Sequence, residues 1–276
     1  MEGARDLSMV EDFQARVHKA NVQVHRVEAK YYELIHGEIY SKGEQKRINS
    51  ALKRIDKLID TNQKEALDFG AGTGNLTGKL LHLGYRVTAL DISAEMCSLL
   101  KKKYKRYVDE KKLRVINSPI EDVSFDKGEF DLITCYSVLH HLPNYETVLQ
   151  KLSVFLRKGG VMYLDHESAF YSDKPNKSER FVRNIYFKCN WLLSTSYVKI
   201  KRIPSVDFLD YSLSDYWASD EHHTDHAKIA SIFKKENFGF FIRIDYHSTR
   251  TWLFNPTFYM YKYFCQPDMT LWIAKK

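Results

Sequence analysis

The stretch that decides the fold is Leu67-Asp68-Phe69-Gly70-Ala71-Gly72-Thr73-Gly74-Asn75-Leu76. An apolar segment ends in three glycines at alternate positions, and helix-forming residues follow. Glycine has no Cβ, so this backbone can turn sharply and approach a ligand closely. The N–H groups that begin the following helix add a polar rim. The stretch therefore predicts a strand, a ligand-binding turn and a helix.

An acid completes this pattern. Asp91 comes seventeen residues after Gly74, at the end of the next strand-like segment, and a carboxylate there can bind both hydroxyls of a ribose. The glycine spacing is GxGxG, and no Gly-Lys-Ser/Thr follows, so a phosphate-binding P-loop is excluded. The loop has no Lys or Arg, which disfavours a pyrophosphate. The alternative is a glycine turn that serves packing alone.

Outward from this stretch, strands and helices alternate. Strands are predicted at 65–70, 86–93, 113–117, 130–138, 160–167, 239–247 and 269–276, and helices at 74–84, 93–107, 144–157 and 226–237. This alternation is typical of a doubly wound α/β fold, a parallel sheet with helices on both faces. Right-handed crossovers place the carboxyl ends of the strands at one edge, where ligands bind.

Two flanking regions lack this alternation. Residues 8–60 have apolar residues at helical spacing and no proline, with a break near Gly37 or at Ser41–Gly43, which predicts helices ahead of the sheet. Residues 168–225 are aromatic, basic and irregular, and we interpret them as an insertion after the fifth strand. Its segment 174–202 has eight Lys and Arg against a single acid.

The composition bounds the class of protein. Of the 276 residues, 44% are hydrophobic and 28% are charged, which excludes disordered, collagen-like and coiled-coil proteins. Four scattered cysteines without a CxxC pair disfavour a disulfide scaffold and a cysteine zinc site. No apolar run reaches the ~18 residues of a membrane span, and the charged amino terminus is unlike a signal peptide, so we expect a cytoplasmic protein. The net charge of +7 is compatible with an anionic substrate, a membrane surface or RNA.

Four blocks of the sequence resemble the class I, Rossmann-like, S-adenosylmethionine-dependent methyltransferases of the small-molecule type. They are ALDFGAGTGNLT, VTALDIS with Met96 just after it, FDLITCYSVLHHL and LRKGGVMYLDHE. The resemblance covers about residues 65–167 and returns at 226–276. It implies a mostly parallel seven-stranded sheet with an antiparallel last strand, S-adenosyl-L-methionine as cofactor and S-adenosyl-L-homocysteine as product.

The resemblance also implies a division of the chain. Residues 1–62 would form an N-terminal helical lid, 63–167 and 226–276 the Rossmann-like cofactor domain, and 168–225 an inserted cap that binds the acceptor. The Tyr31-Tyr32 segment resembles the tyrosine-bearing segment that many small-molecule methyltransferases fold over the cofactor. Tyr31 or Tyr32 is therefore expected beside the methionine portion, the alternative being a helix that packs its aromatic stripe on the core.

Carried over position by position, the family's cofactor contacts fall just after the first four strands. The amino-acid end would be held by Asp68, Gly70, Ala71, Gly72 and Gly74, the ribose by Asp91, and the adenine by Ile92, Met96, Ile120 and Glu121, with Tyr136 and Ser137 near the methylsulfonium. Pro119 stands where the family often has an acid for the adenine amino group. That contact is expected to pass to Ser118 or Glu121, or to be lost, with the Ile120 N–H on the ring.

The implied reaction sets modest chemical demands. Methyl transfer from a sulfonium is an in-line displacement, and holding the acceptor about 3–3.5 Å from the methyl supplies much of the rate. A base is needed only for an acceptor that starts protonated, and no metal is required. The candidate catalytic residues are His166, His140 and Tyr136, while His141 is interpreted as structural. The cluster Glu221–His226 has metal-ligand side chains without metal-site spacing, so we expect it to contact the acceptor or to cap the next helix through Thr224 or Asp225.

Three acceptor classes stay open. Of the 38 aromatic residues, 24 follow Asp165, which is typical of an enclosed organic acceptor but equally of a cap with its own core. The main expectation is methylation of an O or N of a small organic molecule. Residues 180–193 mix basic and bulky apolar side chains as interfacial helices do, which favours a lipid-like acceptor at a membrane surface as an alternative. A protein or RNA acceptor on the basic segment 174–202 is the third, and DNA is not expected.

Overall fold

The computed structural model describes residues 2–60, 63–169, 176–201, 211–215, 224–248 and 257–276. The helices are α1 (Glu2–Glu28), α2 (Tyr32–Ile35), α3 (Gly37–Tyr40), α4 (Lys42–Asp56), α5 (Asn75–His82), α6 (Ala94–Lys103), α7 (Lys105–Asp109), α8 (Tyr145–Phe155), α9 (Lys177–Lys201), α10 (Tyr211–Ser214), α11 (His226–Lys235) and α12 (Phe258–Phe264). The strands are β1 (Glu65–Phe69), β2 (Arg86–Asp91), β3 (Leu113–Asn117), β4 (Phe130–Tyr136), β5 (Leu156–Ser168), β6 (Phe240–Tyr246) and β7 (Met269–Lys275). Short 3₁₀ turns occur at Ala29–Tyr31, Ile120–Asp122 and Leu139–His141.

The strands form one seven-stranded sheet in the order β3-β2-β1-β4-β5-β7-β6. The first five strands pair in parallel, and β7 runs antiparallel between β5 and β6. The predicted fold class is confirmed, including the reversed last strand. The strand order changes direction between β1 and β4, and this switch point opens a crevice at the carboxyl ends of the strands.

Apolar side chains cover both faces of the sheet. On one face α8 and α11 contribute Leu149, Leu152 and Phe233, and on the other α4 and α5 contribute Leu52 and Leu80, all buried. The stripe on α4 follows from its sequence, because apolar residues four and seven positions apart share one helix face. The sheet is thus fixed from both sides, and its carboxyl edge is a rigid platform for a site.

Two predicted helices are shorter than expected. The helix predicted to 157 ends at Phe155, and the glycines placed at its end lie inside β5, where Gly159 N–H donates to Lys276 O at 2.6 Å. The helix predicted over 93–107 is broken at Tyr104, whose φ of −113° and ψ of 29° are not helical. The Tyr104 hydroxyl donates to Gly74 O at 3.0 Å, so a contact with the glycine loop overrides helix propensity there.

The insertion after β5 is more regular than its sequence indicates. The prediction of irregular structure is wrong for residues 177–201, which form the 25-residue helix α9. Val182 and Tyr186, one turn apart on α9, pack against Tyr261 and Cys265 of α12, and the rings of Tyr186 and Tyr261 stack at 4.2 Å. The helix therefore depends on a partner that lies far along the chain.

Helices α1 and α9 have 27 and 25 residues, so a membrane span has to be considered. Within the part of the chain that the structure describes, no helix has both the length and the apolar character that crossing a bilayer requires. In α9 the charged residues lie at 177–188 and 199–201 and leave an uncharged segment of only ten residues between them.

Candidate active site

A cavity of about 740 Å³, open mouth included, lies at the carboxyl edge of the sheet. Its walls come from the glycine loop, the ends of β2 and β4, the turn after β3, and helix α1. The residues that line it are His18, Asn21, His25, Tyr32, Phe69, Gly70, Gly72, Asp91, Ile92, Met96, Ser118, Pro119, Ile120, Glu121, Tyr136, Ser137, Val138, His141 and Leu142. Most of the residues predicted to hold a nucleoside thus surround one space.

The glycine loop has the backbone that the sequence predicts. Gly70, Gly72 and Gly74 have φ values of 68°, 52° and 89°, in the left-handed region that glycine enters without strain. A Cβ on Gly70 would lie 2.4 Å from Val138 Cγ2, and one on Gly74 would lie 2.7 Å from a ring carbon of Tyr104. At these two positions both conformation and close packing require glycine. Gly74 is the N-cap of α5 and does not line the cavity.

Asp91 is held in place by backbone donors. Its Oδ2 accepts from Gly72 N–H at 2.7 Å and its Oδ1 from Ser93 N–H at 2.8 Å. Each carboxylate oxygen keeps a second lone pair, which a hydroxyl can use. Burial raises the pKa of the Asp91 carboxyl, and His25 with the two N–H donors offsets this only in part. The acid therefore locks the glycine loop and also lines the cavity.

An apolar slot lies beside Asp91. Met96 and Ile120 are 1% and 2% exposed and line the slot with Ile92 and Pro119. Asn117 donates to the Ile92 carbonyl at 2.8 Å, which joins the turn after β3 to the turn after β2. Glu121 and Ser118 border the slot with polar atoms. A flat heteroaromatic ring suits two apolar walls with a polar edge.

A smaller cavity of about 340 Å³ adjoins the first and shares Tyr32, Gly70, Gly72 and Tyr136 with it. Its remaining lining residues are Ile39, Tyr40, Asp68, Ala71, Thr73, Asn75 and Leu76. The hydroxyls of Thr77 and Thr134 donate to Asp68 at 2.6 and 2.8 Å. Burial raises the pKa of Asp68 to about 6, although both hydroxyls oppose the shift. A buried acid at the far end of the cavity suits a cationic amine.

The two neighbouring tyrosines of the predicted lid have different environments. Tyr32 lines both cavities, and its ring lies 4.4 Å from that of His36. Tyr31 lines a separate groove with Lys103, and Lys30 Nζ lies 5.6 Å from its ring. Of the two candidates, the structure brings Tyr32 to the predicted site and leaves Tyr31 outside it.

The ends of β4 and β5 carry unusual backbone. Ser137 and His166 have φ values of 58° and 61°, a region that non-glycine residues rarely enter and that clusters at functional sites. Tyr136 lines both cavities, and its ring stacks on that of His166 with centroids 5.0 Å apart. His166 Nδ1 lies 3.4 Å from Ser137 Oγ. His166 is buried and lies against the cavity wall rather than on the cavity surface.

A buried ion network lies beneath Tyr136. Its hydroxyl donates to Glu44 Oε1 at 2.8 Å, and Arg47 joins Glu44 to Asp165, with Nη2 2.7 Å from Asp165 Oδ2. Tyr246 donates to Asp165 Oδ1 at 3.0 Å, and Tyr163 bonds the same carboxylate. Burial raises the pKa of Tyr136 well above its usual value, as does the charge of Glu44, so its phenol stays protonated. The network joins α4 to the ends of β4, β5 and β6.

The histidine pair after β4 is anchored by Glu167. The fully buried carboxylate accepts from Val138 and Leu139 N–H at 2.9 and 2.8 Å, and His140 Nδ1 lies 2.9 Å from Oε2. Burial lowers the pKa of His140, but the Glu167 charge and hydrogen bond raise it overall. Burial and the neighbouring His140 hold the pKa of His141 well below its usual value. His141 lines the cavity and His140 does not.

Helix α1 contributes a wall that the sequence analysis did not assign to the site. Asn21 is 4% exposed and donates to the His141 carbonyl at 3.1 Å, while the ring of His25 meets that of His141 edge-on at 5.3 Å. Arg26 lies 3.4 Å from Glu95 of α6. A signal was present in the sequence, since the polar residues His18, Asn21, His25 and Glu28 recur every three or four positions along α1. Their spacing alone does not say which strand edge they face.

The His-rich segment before α11 is a helix cap in its described part. Asp225 accepts from Ala227 and Lys228 N–H at 2.8 and 3.2 Å, as predicted. His226 Nε2 lies 2.8 Å from the Ser168 carbonyl, and Trp272 donates to its Nδ1 at 3.3 Å. Both ring nitrogens of His226 therefore have protein partners. Residues 221–223 of the predicted cluster lie outside the described residues.

Comparison with known families connects this geometry to a class of proteins. The sequence model of a family described as "Methyltransferase domain" matches residues 67–164, the segment that holds the glycine loop, Asp91 and Tyr136. Over these residues the chain is similar to methyltransferase domains. The matched segment runs from β1 into β5.

Curated relatives match less than half of this chain. A ubiquinone biosynthesis O-methyltransferase of Coxiella burnetii is 29% identical over 115 residues, 41% of this chain and 47% of that protein. A protein of the same name from Xanthomonas oryzae pv. oryzae is 27% identical over 114 residues, with the same coverage. The chain spans about half the length of the curated relatives it matches.

Solved structures share the fold over most of the chain. A phosphoethanolamine N-methyltransferase 2 of Haemonchus contortus, in complex with S-adenosyl-L-methionine, has a TM-score of 0.55 and 15% identity, covering 90% of this chain and 56% of that one. An S-adenosylmethionine-dependent methyltransferase of Archaeoglobus fulgidus has a TM-score of 0.52 and 16% identity, covering 89% of this chain and all of that one. At this identity the likeness establishes the fold.

The residues present fit the family's cofactor. Its adenine, ribose diol and cationic amino acid need an apolar slot, an acceptor carboxylate and a second acid. The slot of Ile92, Met96 and Ile120, the carboxylate of Asp91 and the buried Asp68 occur in that order along the two adjoining cavities. Gly70 would have to approach the ligand closely, and its environment tolerates no Cβ.

Proposed function

We propose that this chain is an S-adenosylmethionine-dependent methyltransferase that methylates an oxygen or nitrogen of a small organic acceptor. The observation that carries the proposal is the pair of adjoining cavities in which Asp91, locked to Gly72 by a 2.7 Å hydrogen bond, lies between an apolar slot and a buried acid. The family match over 67–164 supports the same conclusion.

In this proposal the cofactor supplies an activated methyl group on a positively charged sulfur. Asp91 accepts from the ribose hydroxyls, and Ile92, Met96 and Ile120 enclose the adenine, with Glu121 at its polar edge. Asp68 and the Ala71 backbone hold the amino-acid end, which Tyr32 covers. These residues orient the methyl toward the ends of β4 and β5, where Tyr136 borders both cavities and Ser137 borders the larger one.

The acceptor is assigned to the space over the ends of β4 and β5. Asp165, Glu44 and Arg47 fix Tyr136 from below, so the wall that meets the acceptor is rigid, which suits a reaction that depends on positioning. His166 and His140 are the candidate bases for an acceptor that carries a proton, and Tyr136, with its neutral phenol, positions the acceptor. The N-terminal helices would act as the lid and residues 168–225 as the cap.

Oxygen is the favoured acceptor atom. The curated relatives that match the domain are O-methyltransferases by name, and they support a hydroxylated acceptor for this chain. The identity is 29% or less over 41% of this chain.

The experiment has a binding arm and a transfer arm. Calorimetry with the full chain should give one site for S-adenosylmethionine, and Asp91→Ala should remove it while Asp109→Ala, an exposed acid on α7, should not. The chain is then incubated with methyl-labelled cofactor and panels of phenols, alcohols and amines. Labelled product from a hydroxylated compound supports the proposal, and absence of cofactor binding by the wild-type chain contradicts it.

A second candidate is a lipid-like acceptor at a membrane surface. Phe181, Phe187 and Leu192 of α9 are 64%, 36% and 58% exposed, and Tyr263 on the adjoining α12 is 78% exposed. The exposed bases Arg180 and Lys188 lie on the same helix. Exposed aromatic and apolar side chains beside basic ones are typical of surfaces that bind anionic bilayers.

Co-sedimentation with vesicles tests this candidate. Vesicles that contain phosphatidylserine should retain the chain at low salt, and the variant Phe181→Ser/Leu192→Ser should lose binding. Val154→Ser, which removes an apolar residue 45% exposed on α8, is the matched control. Equal binding by all three proteins, or none by the wild type, would remove the lipid-surface candidate and leave the enclosed acceptor.

A further inference from the structure

Three ligand-type side chains converge beside the nucleoside cavity. His140, His141 and Asp215 each offer one ligand atom, and these atoms all lie within 4.8 Å of one another. His141 Nδ1 is 3.3 Å from Asp215 Oδ1, and the two imidazole rings have centroids 4.1 Å apart. Two imidazoles and one carboxylate are a donor set that binds borderline divalent cations and leaves open positions.

The carboxylate of Glu167 orients the imidazole of His140. His140 Nδ1 lies 2.9 Å from Oε2 of Glu167, a carboxylate that also accepts from Val138 and Leu139 N–H. Because a carboxylate accepts, His140 donates through Nδ1–H and keeps the lone pair on Nε2. A carboxylate behind a ligating histidine is the arrangement that fixes the tautomer and the ring orientation in metal sites.

The two segments that carry the ligands are clamped together by one buried side chain. Asn21 of α1 donates to the His141 carbonyl at 3.1 Å, and its Oδ1 accepts from the Ser214 hydroxyl at 2.9 Å. Ser214 directly precedes Asp215 and is fully buried. The distance between the 3₁₀ turn after β4 and the end of α10 is therefore set by a third element, as a preorganised site requires.

We propose that His140, His141 and Asp215 bind a divalent cation of the Zn²⁺ type, whose open positions take the oxygen of a hydroxylated acceptor. With metal–nitrogen distances of about 2.0–2.1 Å, tetrahedral ligand atoms lie about 3.4 Å apart. His141 Nδ1 lies 2.8 Å from the Ser214 carbonyl, which only accepts, so His141 donates through Nδ1–H and keeps the lone pair on Nε2 for the cation. The ligand atoms lie within 4.8 Å of one another, so side-chain rotations have to close up to about 1.4 Å to reach tetrahedral spacing. His141 also lines the cofactor cavity, so the cation would border the reacting atoms.

The role of the cation rests on the proposed function. A coordinated hydroxyl loses its proton to water more readily because the cation stabilises the oxyanion. The oxygen electron pair then forms the new O–C bond, the C–S bond breaks, and its electron pair stays on sulfur. His141 would thus bind metal rather than serve structure alone, and the expectation that no metal is required would not hold for an alcohol acceptor.

Metal binding is tested on the full chain without a histidine tag. The protein is stripped with a chelator and titrated with Co²⁺ alone, whose visible absorption reports imidazole coordination, and then with Zn²⁺ in competition. One equivalent with a coordination spectrum is expected. Asp215→Asn should weaken Co²⁺ binding by at least about tenfold, and His140→Gln, a second variant, should alter the spectrum as well. Asp109→Asn is the matched control for the carboxylate and His82→Gln for the imidazole.

The outcomes distinguish a metal site from a buried cluster of hydrogen-bonded side chains. If the wild type gives no saturable Co²⁺ spectrum, or if Asp215→Asn binds as the wild type does, the three side chains form a hydrogen-bonded cluster and the proposal is wrong. Zn²⁺ should also raise the unfolding temperature of the wild type and of both controls, because a ligand that binds the folded state stabilises it. Asp215→Asn should show no such increase.

The failure of this proposal is distinguishable from that of the proposed function. Binding of S-adenosylmethionine is measured with the chelator present. Cofactor binding without metal binding keeps the methyltransferase and overturns the cation site. A Co²⁺ spectrum without cofactor binding keeps the cation site and overturns the assigned activity.

Discussion

The proposed cofactor half of the site, around the glycine loop, and its proposed acceptor half, over the ends of β4 and β5, are built in different ways. Around the glycine loop, residues close in sequence line a cavity because one strand, one turn and one helix follow each other directly. Over the ends of β4 and β5, buried charges come from α4 and β5, with Arg47 bridging Glu44 and Asp165. The first half uses backbone N–H groups and glycines, and the second uses ion pairs between distant elements.

The two halves should differ in how well they tolerate substitutions. In the cofactor half each lost contact weakens one local interaction, and the rest of the loop can hold its shape. In the acceptor half the charges are buried, so the loss of one partner leaves another without compensation.

The largest effect is expected from Arg47→Met. It leaves Asp165, which is fully buried, and Glu44 without their cation, and breaking a buried pair in this way costs about 3–5 kcal/mol. The free energy of unfolding is measured with urea. Arg106→Met, which breaks the exposed pair with Glu110, is the control and should cost less than about 1 kcal/mol. Equal losses for the two variants would show that the network does not stabilise the acceptor half.

Asp91→Ala should have the next largest effect, on cofactor affinity rather than on the acceptor half. Two hydrogen bonds to a charged group are lost, each contributing about 1.5–3 kcal/mol, so the Kd measured by calorimetry should rise at least about 100-fold. Asp91→Asn keeps the shape and should lose less. An affinity for Asp91→Ala within about twofold of the wild type would mean that the ribose lies elsewhere.

Gly70→Ala separates close packing from backbone strain. Both Gly70 and Gly159 have positive φ, 68° and 81°, but a Cβ would clash with Val138 at Gly70 and meets nothing within 4 Å at Gly159. Gly70→Ala should therefore lower the free energy of unfolding by about 1–3 kcal/mol more than Gly159→Ala. Similar losses in both variants would mean that the left-handed backbone alone accounts for the need for glycine at position 70.

The smallest effect is a pH dependence that comes from Asp68. Burial raises its pKa to about 6, so the carboxyl becomes neutral as the pH falls through that value and attracts a cationic amine less. The cofactor Kd should rise by up to about tenfold between about pH 7 and pH 5. Asp68→Asn should bind more weakly at neutral pH and lose this dependence. A wild type and variant with parallel pH profiles would assign the titration to another group.

Asp68 should also make the folding stability depend on pH, in the opposite direction to the cofactor affinity. The pKa of the folded state, about 6, lies above the model value of 3.8, so the folded state binds the proton more tightly. The wild type should lose stability as the pH rises from about 4 to about 6, and Asp68→Asn should lose less. Thermal unfolding across this range measures it, and a steeper loss in the variant would contradict the assignment.

Local order explains which parts of the fold were predictable. The strands and the turn at Gly70–Gly74 follow from glycine and apolar spacing within a few residues, and their order places Asp91 beside the loop. Helix α9 was not predicted, because Val182 and Tyr186 form a buried face only when α12 packs on them. Helix propensity is a weak guide when a distant partner supplies the stabilisation.

Residues of the candidate site were also predictable only where local sequence places them. Asp68, Asp91 and Met96 reach the cavities as the sequence predicts, because each follows directly from a strand end. The sequence did not show which of Tyr31 and Tyr32 faces the site. Neighbouring residues point about 100° apart around a helix, and the start of a 3₁₀ turn shifts both directions. Asn21 and His25 were missed because only the tertiary position of α1 brings them to the sheet.

The position of α1 has a consequence for how quickly ligands exchange. His18, Asn21 and His25 make this helix one wall of the cavity, and Arg26 attaches it to Glu95 through an ion pair with side chains 70% and 40% exposed. Contacts of this kind are weakened by dissolved ions. Release of a bound nucleoside should therefore quicken with ionic strength, so the amino-terminal helix would set the residence time of the cofactor and the strands its orientation.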